Sequence, residues 1–211
     1  MKQTRIKTIA FDLGGVIITI DNDEPVRRFK EIGVDDADKL LDPYKQSGFF
    51  GDLEEGLITE DEFVSKLSDH AGKPIPWSQC QYAWKGFVAD VPVAKLKALE
   101  ELRNLGYRLI LVSNTNGFIQ SWADSEDFSE LGRPVSYYFD RMYRSHEMKC
   151  MKPSEKFFDY VLEHEQCTAD SILFVDDSQT NCQAAEKMGF TTYCPENGEY
   201  WLDNLKEMLG E

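Results

Sequence analysis

The chain has 211 residues, and 23 Lys and Arg against 38 Asp and Glu give it a formal net charge of −15 at pH 7. This length predicts one domain, or one domain with a modest insertion, large enough to bury a hydrophobic core. So acidic a surface disfavours nucleic acid and anionic membranes as partners, and no apolar run approaches the roughly 20 residues of a membrane span.

The five cysteines are scattered along the chain and odd in number. The apolar run over 6–20 is interrupted by Asp12 and lacks a small-residue cleavage site, so it does not have the pattern of a signal peptide. Without a secretion signal, we expect reduced thiols and a cytoplasmic protein. No C-x-x-C occurs, so neither a zinc site nor a redox pair is indicated.

The first predicted strand, residues 6–11, runs into Asp12 and then Gly14-Gly15. A carboxylate at the carboxyl end of a central parallel strand lies where open α/β sheets bind ligands. The two glycines allow a sharp turn that brings backbone close to a ligand. Taken alone, Asp12 is equally well explained as an exposed aspartate in a strand-to-loop turn.

Residues 21–89 show helical patterns and no convincing strand. A capping-box sequence begins the third pattern at Thr59. The predicted helices are 24–32, 37–46, 59–70 and 77–87. We therefore predict an all-helical cap over 21–89, inserted into a core formed by 1–20 and 90–211. Phe49 and Phe50 either line the substrate entrance or pack between cap helices.

From residue 90 onwards, strand and helix patterns alternate. The helices are predicted at 93–105, 154–164 and 180–188. The strands are predicted at 108–112 and 171–175, with weaker ones at 137–143 and 190–193. This alternation predicts an α/β fold with a doubly wound, Rossmann-like parallel sheet.

Polar residues follow the later strands and open one helix. Ser113-Asn114 could hold the oxygens of an anion, or simply begin a helix as N-caps. Lys152 before Pro153 suits neutralisation of a phosphate, although a solvated surface lysine is the simpler explanation. The adjacent carboxylates of Asp176 and Asp177 repel each other unless a cation compensates them, and such ligands suit Mg²⁺. An exposed acidic turn is the alternative.

In combination these features resemble the motifs of the haloacid dehalogenase superfamily, with the helical insert of its C1-capped members. The segments FDLGGVI, LVSNTN, MKP, FVDDSQTN and FFGDLEEGLITEDEF are similar to the bacterial α-D-glucose-1-phosphate phosphatase branch. The resemblance implies a Mg²⁺-dependent phosphatase acting on a small phosphorylated metabolite, such as glucose 1-phosphate or another sugar phosphate.

The resemblance also implies roles for the residues that contact the substrate. Asp12 would be the nucleophile that attacks phosphorus and forms an aspartyl-phosphate. Ser113 and the amide of Asn114 would bind phosphoryl oxygens. Lys152 would offset the negative charge of Asp12 and of the phosphate.

By the same resemblance, Mg²⁺ would be held by the Asp12 carboxylate, the Gly14 carbonyl and Asp177. Asp176 would coordinate secondarily or orient water at the metal. Asn181 would tie the acidic loop to the site.

Gly14 departs from the common family pattern, in which a second aspartate protonates the leaving oxygen and then activates water. Its carbonyl can still bind metal, but it has no acid or base, and losing such a group typically costs 10² to 10⁴-fold in rate. Three functions remain open. The protein is a phosphatase of esters with good leaving groups, a catalytically weak or inactive binder of phosphorylated ligands or partners, or a 2-haloacid dehalogenase.

Overall fold

The computed structural model describes residues 5–41 and 46–211. Within these ranges the strands are β1 Thr8–Phe11, β2 Thr19–Ile20, β3 Val88–Asp90, β4 Arg108–Ser113, β5 Arg141–Arg144, β6 Ile172–Val175 and β7 Thr191–Tyr193. The first six α-helices are α1 Asp23–Glu31, α2 Ala37–Leu40, α3 Phe49–Glu54, α4 Glu60–Ala71, α5 Trp77–Trp84 and α6 Val93–Asn104. They are followed by α7 Gly117–Ala123, α8 Ser145–Met148, α9 Glu155–Glu165, α10 Gln179–Lys187 and α11 Leu202–Leu209.

A five-stranded sheet with the order β5-β4-β1-β6-β7 forms the centre of the fold, and every neighbouring pair is parallel. Side chains that alternate along the strands face two separate apolar clusters. In β1, Ile9 and Phe11 belong to one cluster and Ala10 to the other. Because both faces are covered, the strands are almost entirely apolar. The predicted α/β, doubly wound parallel sheet is confirmed.

Helices α1 to α5 lie between β2 and β3 and share a core of aromatic side chains. Phe29 contacts Phe50 with ring centroids 5.0 Å apart, and Phe50 contacts Trp84 at 5.5 Å. Phe63 joins the same group at 5.0 Å from Phe50. All four side chains are buried. Of the two alternatives for Phe50, packing between helices is therefore the one observed.

Three local features of this region differ from the sequence prediction. The helix predicted over 37–46 is only the single turn α2, because Leu41 adopts extended backbone and packs into the main apolar cluster. Residues 42–45 of that prediction lie outside the described residues. Helix α3 was not predicted.

The third difference is a two-stranded antiparallel ribbon, in which β2 pairs with β3. Strands of two and three residues are too short to show a period of two in the sequence. The ribbon joins the two chain segments that lead into and out of the helical insertion. None of the helices in the described ranges has both the length and the apolar character that crossing a bilayer demands.

Candidate active site

The carboxyl ends of β1, β4 and β6 meet at one edge of the sheet. The register places Phe11 opposite both Leu111 and Val175. The residues just beyond these strand ends are therefore neighbours in space. The Asp12 amide donates a hydrogen bond to the Val175 carbonyl at 2.8 Å, which continues the pairing into the site.

Lys152 lies buried between two carboxylates. Its Nζ is 3.0 Å from Asp12 Oδ1 and 2.6 Å from Asp176 Oδ2. It also donates to the Val112 carbonyl at 2.8 Å. Burial alone would lower the pKa of Lys152, but the two carboxylates raise it above its usual value. The ammonium is therefore fixed in its charged form.

Asp176 is the most tightly held carboxylate of the site. Its Oδ1 accepts hydrogen bonds from the Ser178 amide at 2.9 Å and from Asn181 Nδ2 at 3.0 Å. Asn181 is itself buried. Asn181 thus anchors the acidic loop after β6, which is the place that the resemblance gave it.

Asp12, Asp176 and Asp177 form a carboxylate cluster in which one oxygen of each lies within 4.8 Å of the others. Burial raises the pKa of Asp12 to about 7, and Asp176 and Asp177 add to the effect while Lys152 opposes it. Burial and the charge of Asp176 raise the pKa of Asp177 to about 6. One ammonium does not balance three carboxylates, so hard oxygen ligands and uncompensated negative charge fit a divalent cation such as Mg²⁺.

The glycine pair after Asp12 lets the first loop approach the acidic loop closely. Gly15 has a φ of +71°, and a Cβ atom there would collide with the Asp177 carboxylate. At Gly14 a Cβ atom would meet only Ile20 Cγ2, at 3.5 Å. Gly15 is thus required by the backbone and by space, whereas Gly14 is not.

Ser113 and Asn114, at the end of β4, have different roles. Ser113 is buried and lines a cavity of about 140 Å³ together with Asp12 and Lys152. The Asn114 side chain is occupied in two hydrogen bonds of 2.9 Å to the backbone of Lys152. Its side chain therefore positions Lys152, and only its main-chain amide remains for the predicted contact with an anion.

Some other residues of the cavity carry unused hydrogen-bonding capacity. Trp84 Nε1 and Thr115 Oγ1 are buried without a hydrogen-bond partner among the residues described, and both residues line the cavity. Buried polar groups are normally paired, so unpaired groups on residues that line a cavity are candidate contacts for a polar ligand. Neither was singled out from the sequence as a site residue.

Glu54, the last residue of α3, also lines the cavity. Burial and the negative charge of Asp12 raise the pKa of Glu54 to about 8, against the opposing effect of Asn116. Sequence reasoning missed Glu54, because one glutamate in an acidic segment gives no signal when its helix is not predicted. Asp21, the next carboxylate along the chain after Asp12, accepts hydrogen bonds from the amides of Asp23 and Glu24 and so holds the turn before α1.

Comparison with known proteins gives consistent results. A D-ribitol-5-phosphate phosphatase of Bacteroides thetaiotaomicron is 40% identical over 204 residues, which are 97% of this chain and 98% of that protein. The structure of a HAD-like hydrolase from Porphyromonas gingivalis superposes with a TM-score of 0.93 at 40% identity, covering 98% and 99% of the two chains. A HAD family enzyme of Bacteroides thetaiotaomicron, solved as an aspartate-to-alanine variant with magnesium and inorganic phosphate, has a TM-score of 0.86 at 34% identity, with 95% and 98% covered.

A family model described as haloacid dehalogenase-like hydrolase matches residues 6–189. That range includes every strand of the five-stranded sheet except β7, the inserted helices and every residue of the carboxylate cluster. This match confirms the resemblance to the superfamily that the sequence motifs indicated. The chain therefore belongs to the haloacid dehalogenase-like hydrolase family.

Proposed function

We propose that the protein is a Mg²⁺-dependent phosphoric monoester hydrolase of small polyol or sugar phosphates, with Asp12 as its nucleophile. The observation that carries the proposal is the cluster of Asp12, Asp176 and Asp177 within 4.8 Å around the buried Lys152. Phosphoryl transfer depends mainly on positioning and on neutralising negative charge, which this cluster provides when a cation is bound.

Each residue then has a defined task. Mg²⁺, held by Asp12, the Gly14 carbonyl and Asp177 with Asp176 in support, would supply positive charge for the phosphoryl oxygens. Lys152 keeps one Asp12 oxygen in place and, together with the bound cation, favours the ionised carboxylate that attacks phosphorus. Ser113, which lines the cavity, donates to a phosphoryl oxygen.

The substrate class follows from the cavity and from the relatives. About 140 Å³ limits the substrate to a small molecule. Trp84 Nε1 and Thr115 Oγ1 suit hydroxyl groups of that molecule. The D-ribitol-5-phosphate phosphatase relative, 40% identical, makes pentitol phosphates the first candidates beside glucose 1-phosphate. In this proposal residues 21–89 act as the cap that selects the substrate over a core of 1–20 and 90–211.

The test is phosphate release from a panel of polyol and sugar phosphates, with Mg²⁺ and with EDTA. We expect turnover only with Mg²⁺. Asp12→Asn should lower it by at least about 10⁴-fold, because the nucleophile is lost. The matched control is Asp69→Asn, since Asp69 is an exposed aspartate of α4, and it should retain wild-type activity.

Other outcomes would assign the protein differently. Binding of phosphorylated metabolites without turnover would indicate the inactive binder. Release of halide from 2-haloacids in EDTA would indicate the dehalogenase, which has no use for the carboxylate cluster as a metal site. Equal activity of Asp12→Asn and wild type would remove Asp12 as nucleophile.

A further inference from the structure

The proposed phosphatase lacks an acid at the place where most of its family carries one. Expulsion of a polyol or sugar alkoxide is slow unless a proton reaches the leaving oxygen during bond cleavage. Gly14 has no side chain, and the Lys152 ammonium is already shared between Asp12 and Asp176. A faster route for the proton is another acidic side chain of the cavity, and Glu54 is one.

Glu54 lies in the same cavity as Asp12 and Gly14, but it approaches from the inserted helices. Its position is fixed by the core of the fold, because its carbonyl accepts a hydrogen bond from Ser145 Oγ at 2.6 Å. Ser145 Oγ in turn accepts from the Thr115 amide at 2.9 Å. The end of α3 is thus anchored to the loop that follows β4.

The next turn of the chain restricts Glu54 as well. Gly56 packs directly against the His146 carbonyl, where a Cβ atom would collide with backbone. The backbone on both sides of the glutamate therefore has little freedom. A carboxyl held on anchored backbone meets the first requirement of an acid–base group, which is a fixed position relative to the reacting atoms.

The surroundings of Glu54 favour a carboxyl that exchanges protons. Among the described residues, the groups that act on the Glu54 carboxyl are the negative charge of Asp12 and the neutral side chain of Asn116, and no cation is among them. Asn116 Oδ1 is occupied by the amides of Phe118 and Ile119 at the start of α7. The raised pKa of Glu54, described above, agrees with this arrangement.

We propose that Glu54 is the general acid and base of this enzyme, supplied by the inserted helices in place of the side chain that Gly14 lacks. This inference rests on the proposed function, and in particular on Asp12 as nucleophile. It also removes the restriction to good leaving groups, so that pentitol and other alkyl phosphates become suitable substrates.

The proton balance of the two steps is complete. In the first, an Asp12 carboxylate oxygen forms a bond to phosphorus while the ester P–O bond breaks, and the Glu54 carboxyl gives its proton to the departing oxygen. In the second, the Glu54 carboxylate takes a proton from a water molecule whose oxygen attacks phosphorus. The bond between phosphorus and Asp12 breaks, inorganic phosphate leaves, and Glu54 is again protonated.

A carboxylate in this cavity could instead bind a hydroxyl group of the substrate. Aryl phosphates separate the two roles, since a phenyl ring has no hydroxyl group to bind. A series from 4-nitrophenyl to phenyl phosphate varies only the stability of the leaving oxyanion. An acid matters more as that oxyanion becomes less stable, whereas a hydroxyl-binding group does not affect the series.

The experiment measures kcat/KM of wild type and Glu54→Gln on this series and on alkyl phosphates, with saturating Mg²⁺. For Glu54→Gln we expect a loss of no more than about threefold with 4-nitrophenyl phosphate, rising to about 10² to 10⁴-fold with alkyl phosphates. A burst of nitrophenol should appear, because hydrolysis of the aspartyl-phosphate also loses its base. Glu55→Gln, one residue further and outside the cavity lining, is the matched control and should behave as wild type.

A rescue variant tests the same point in the opposite direction. Since a Cβ atom at Gly14 would meet only Ile20 Cγ2 at 3.5 Å, Gly14→Asp introduces a carboxyl two residues after Asp12 without a collision at its Cβ. In the Glu54→Gln background, this second substitution should raise kcat/KM for alkyl phosphates by at least about tenfold. Calorimetric binding of Mg²⁺ to Glu54→Gln, equal to wild type, shows that the site is intact.

The remaining outcomes are decisive as well. A uniform loss across the aryl series, or no loss with alkyl phosphates, would overturn the role of Glu54 while leaving the phosphatase assignment in place. Absence of turnover in the wild type on every ester would instead overturn the proposed function, and this inference with it.

Discussion

Asp12 and Asp177 owe their raised pKa values to burial and to neighbouring carboxylates. Their titration therefore shows how far the negative charge of the site is compensated. The ordinary pKa of an aspartate here is 3.8, against about 7 for Asp12 and about 6 for Asp177. At pH values between the ordinary pKa and the raised ones, the native protein binds more protons than the unfolded chain. The free energy of unfolding must therefore fall as pH rises through this interval when no metal is present.

This gives a prediction for the metal-free protein. In EDTA, urea unfolding should show the free energy of unfolding falling from pH 5 to pH 7.5, because the buried carboxyls of Asp12, Asp177 and Glu54 ionise without compensation. Asp12→Asn should reduce this fall in part, since Asp177 and Glu54 still titrate. Mg²⁺ should restore stability mainly at the higher pH, where it binds ionised carboxylates. Parallel curves for Asp12→Asn and the control Asp69→Asn would contradict this account.

At the level of elements, the loop after β1 and the loop after β6 must touch, and Gly15 makes this possible. Its φ of +71° and the proximity of Asp177 combine two requirements in one residue. Gly132 has a similar φ of +62°, but a Cβ atom there would meet nothing within 4 Å. An alanine at either position would have a strained backbone, but only at Gly15 would it also collide with Asp177. Comparing the two alanine variants therefore distinguishes these two effects.

We predict that Gly15→Ala displaces Asp177 and raises the Mg²⁺ concentration for half-maximal activity by at least about tenfold. Gly132→Ala should cost only about 1 kcal/mol of stability through its backbone conformation and leave the Mg²⁺ dependence unchanged. Mg²⁺ titrations of activity and urea unfolding of both variants make the comparison. An equal Mg²⁺ dependence in the two variants would show that collision with Asp177 has no effect.

The elements that the sequence predicts well are those whose signal is local. The strands that carry Asp12, Ser113 and Asp176 are short apolar runs ending in polar residues, so both the strands and the meeting of their ends were predictable. Helix α3 and the ribbon of β2 and β3 were not, because they are short and depend on packing against the rest of the fold.

Glu54 was unpredictable for the same reason. Its place in the cavity comes from the anchoring of α3 through Ser145, which lies 91 positions further along the chain. Asp12, Lys152 and Asp176 could be placed from strand ends and motif order alone. A residue brought in by an unpredicted helix leaves no comparable trace in the sequence.

At the level of the whole molecule, a net charge of −15 opposes the approach of an anionic substrate. Inside the cavity, the cation that the carboxylate cluster fits and the Lys152 ammonium reverse this sign over a few ångströms. The long-range field and the local field therefore act in opposite directions. Salt screens the first over about 10 Å at 0.1 M and reaches the buried groups much less.

The balance of these two fields predicts an unusual response to salt. With Mg²⁺ saturating, kcat/KM for a phosphate monoester should rise by about two- to threefold between 10 and 150 mM KCl, because screening removes repulsion from the distant acidic surface. kcat should change little, since the bound substrate experiences mainly the local charges. Sucrose at matched osmolality is the control and should have no such effect. A fall in kcat/KM with salt would mean that the positive field of the site extends beyond the cavity mouth and attracts the substrate from a distance.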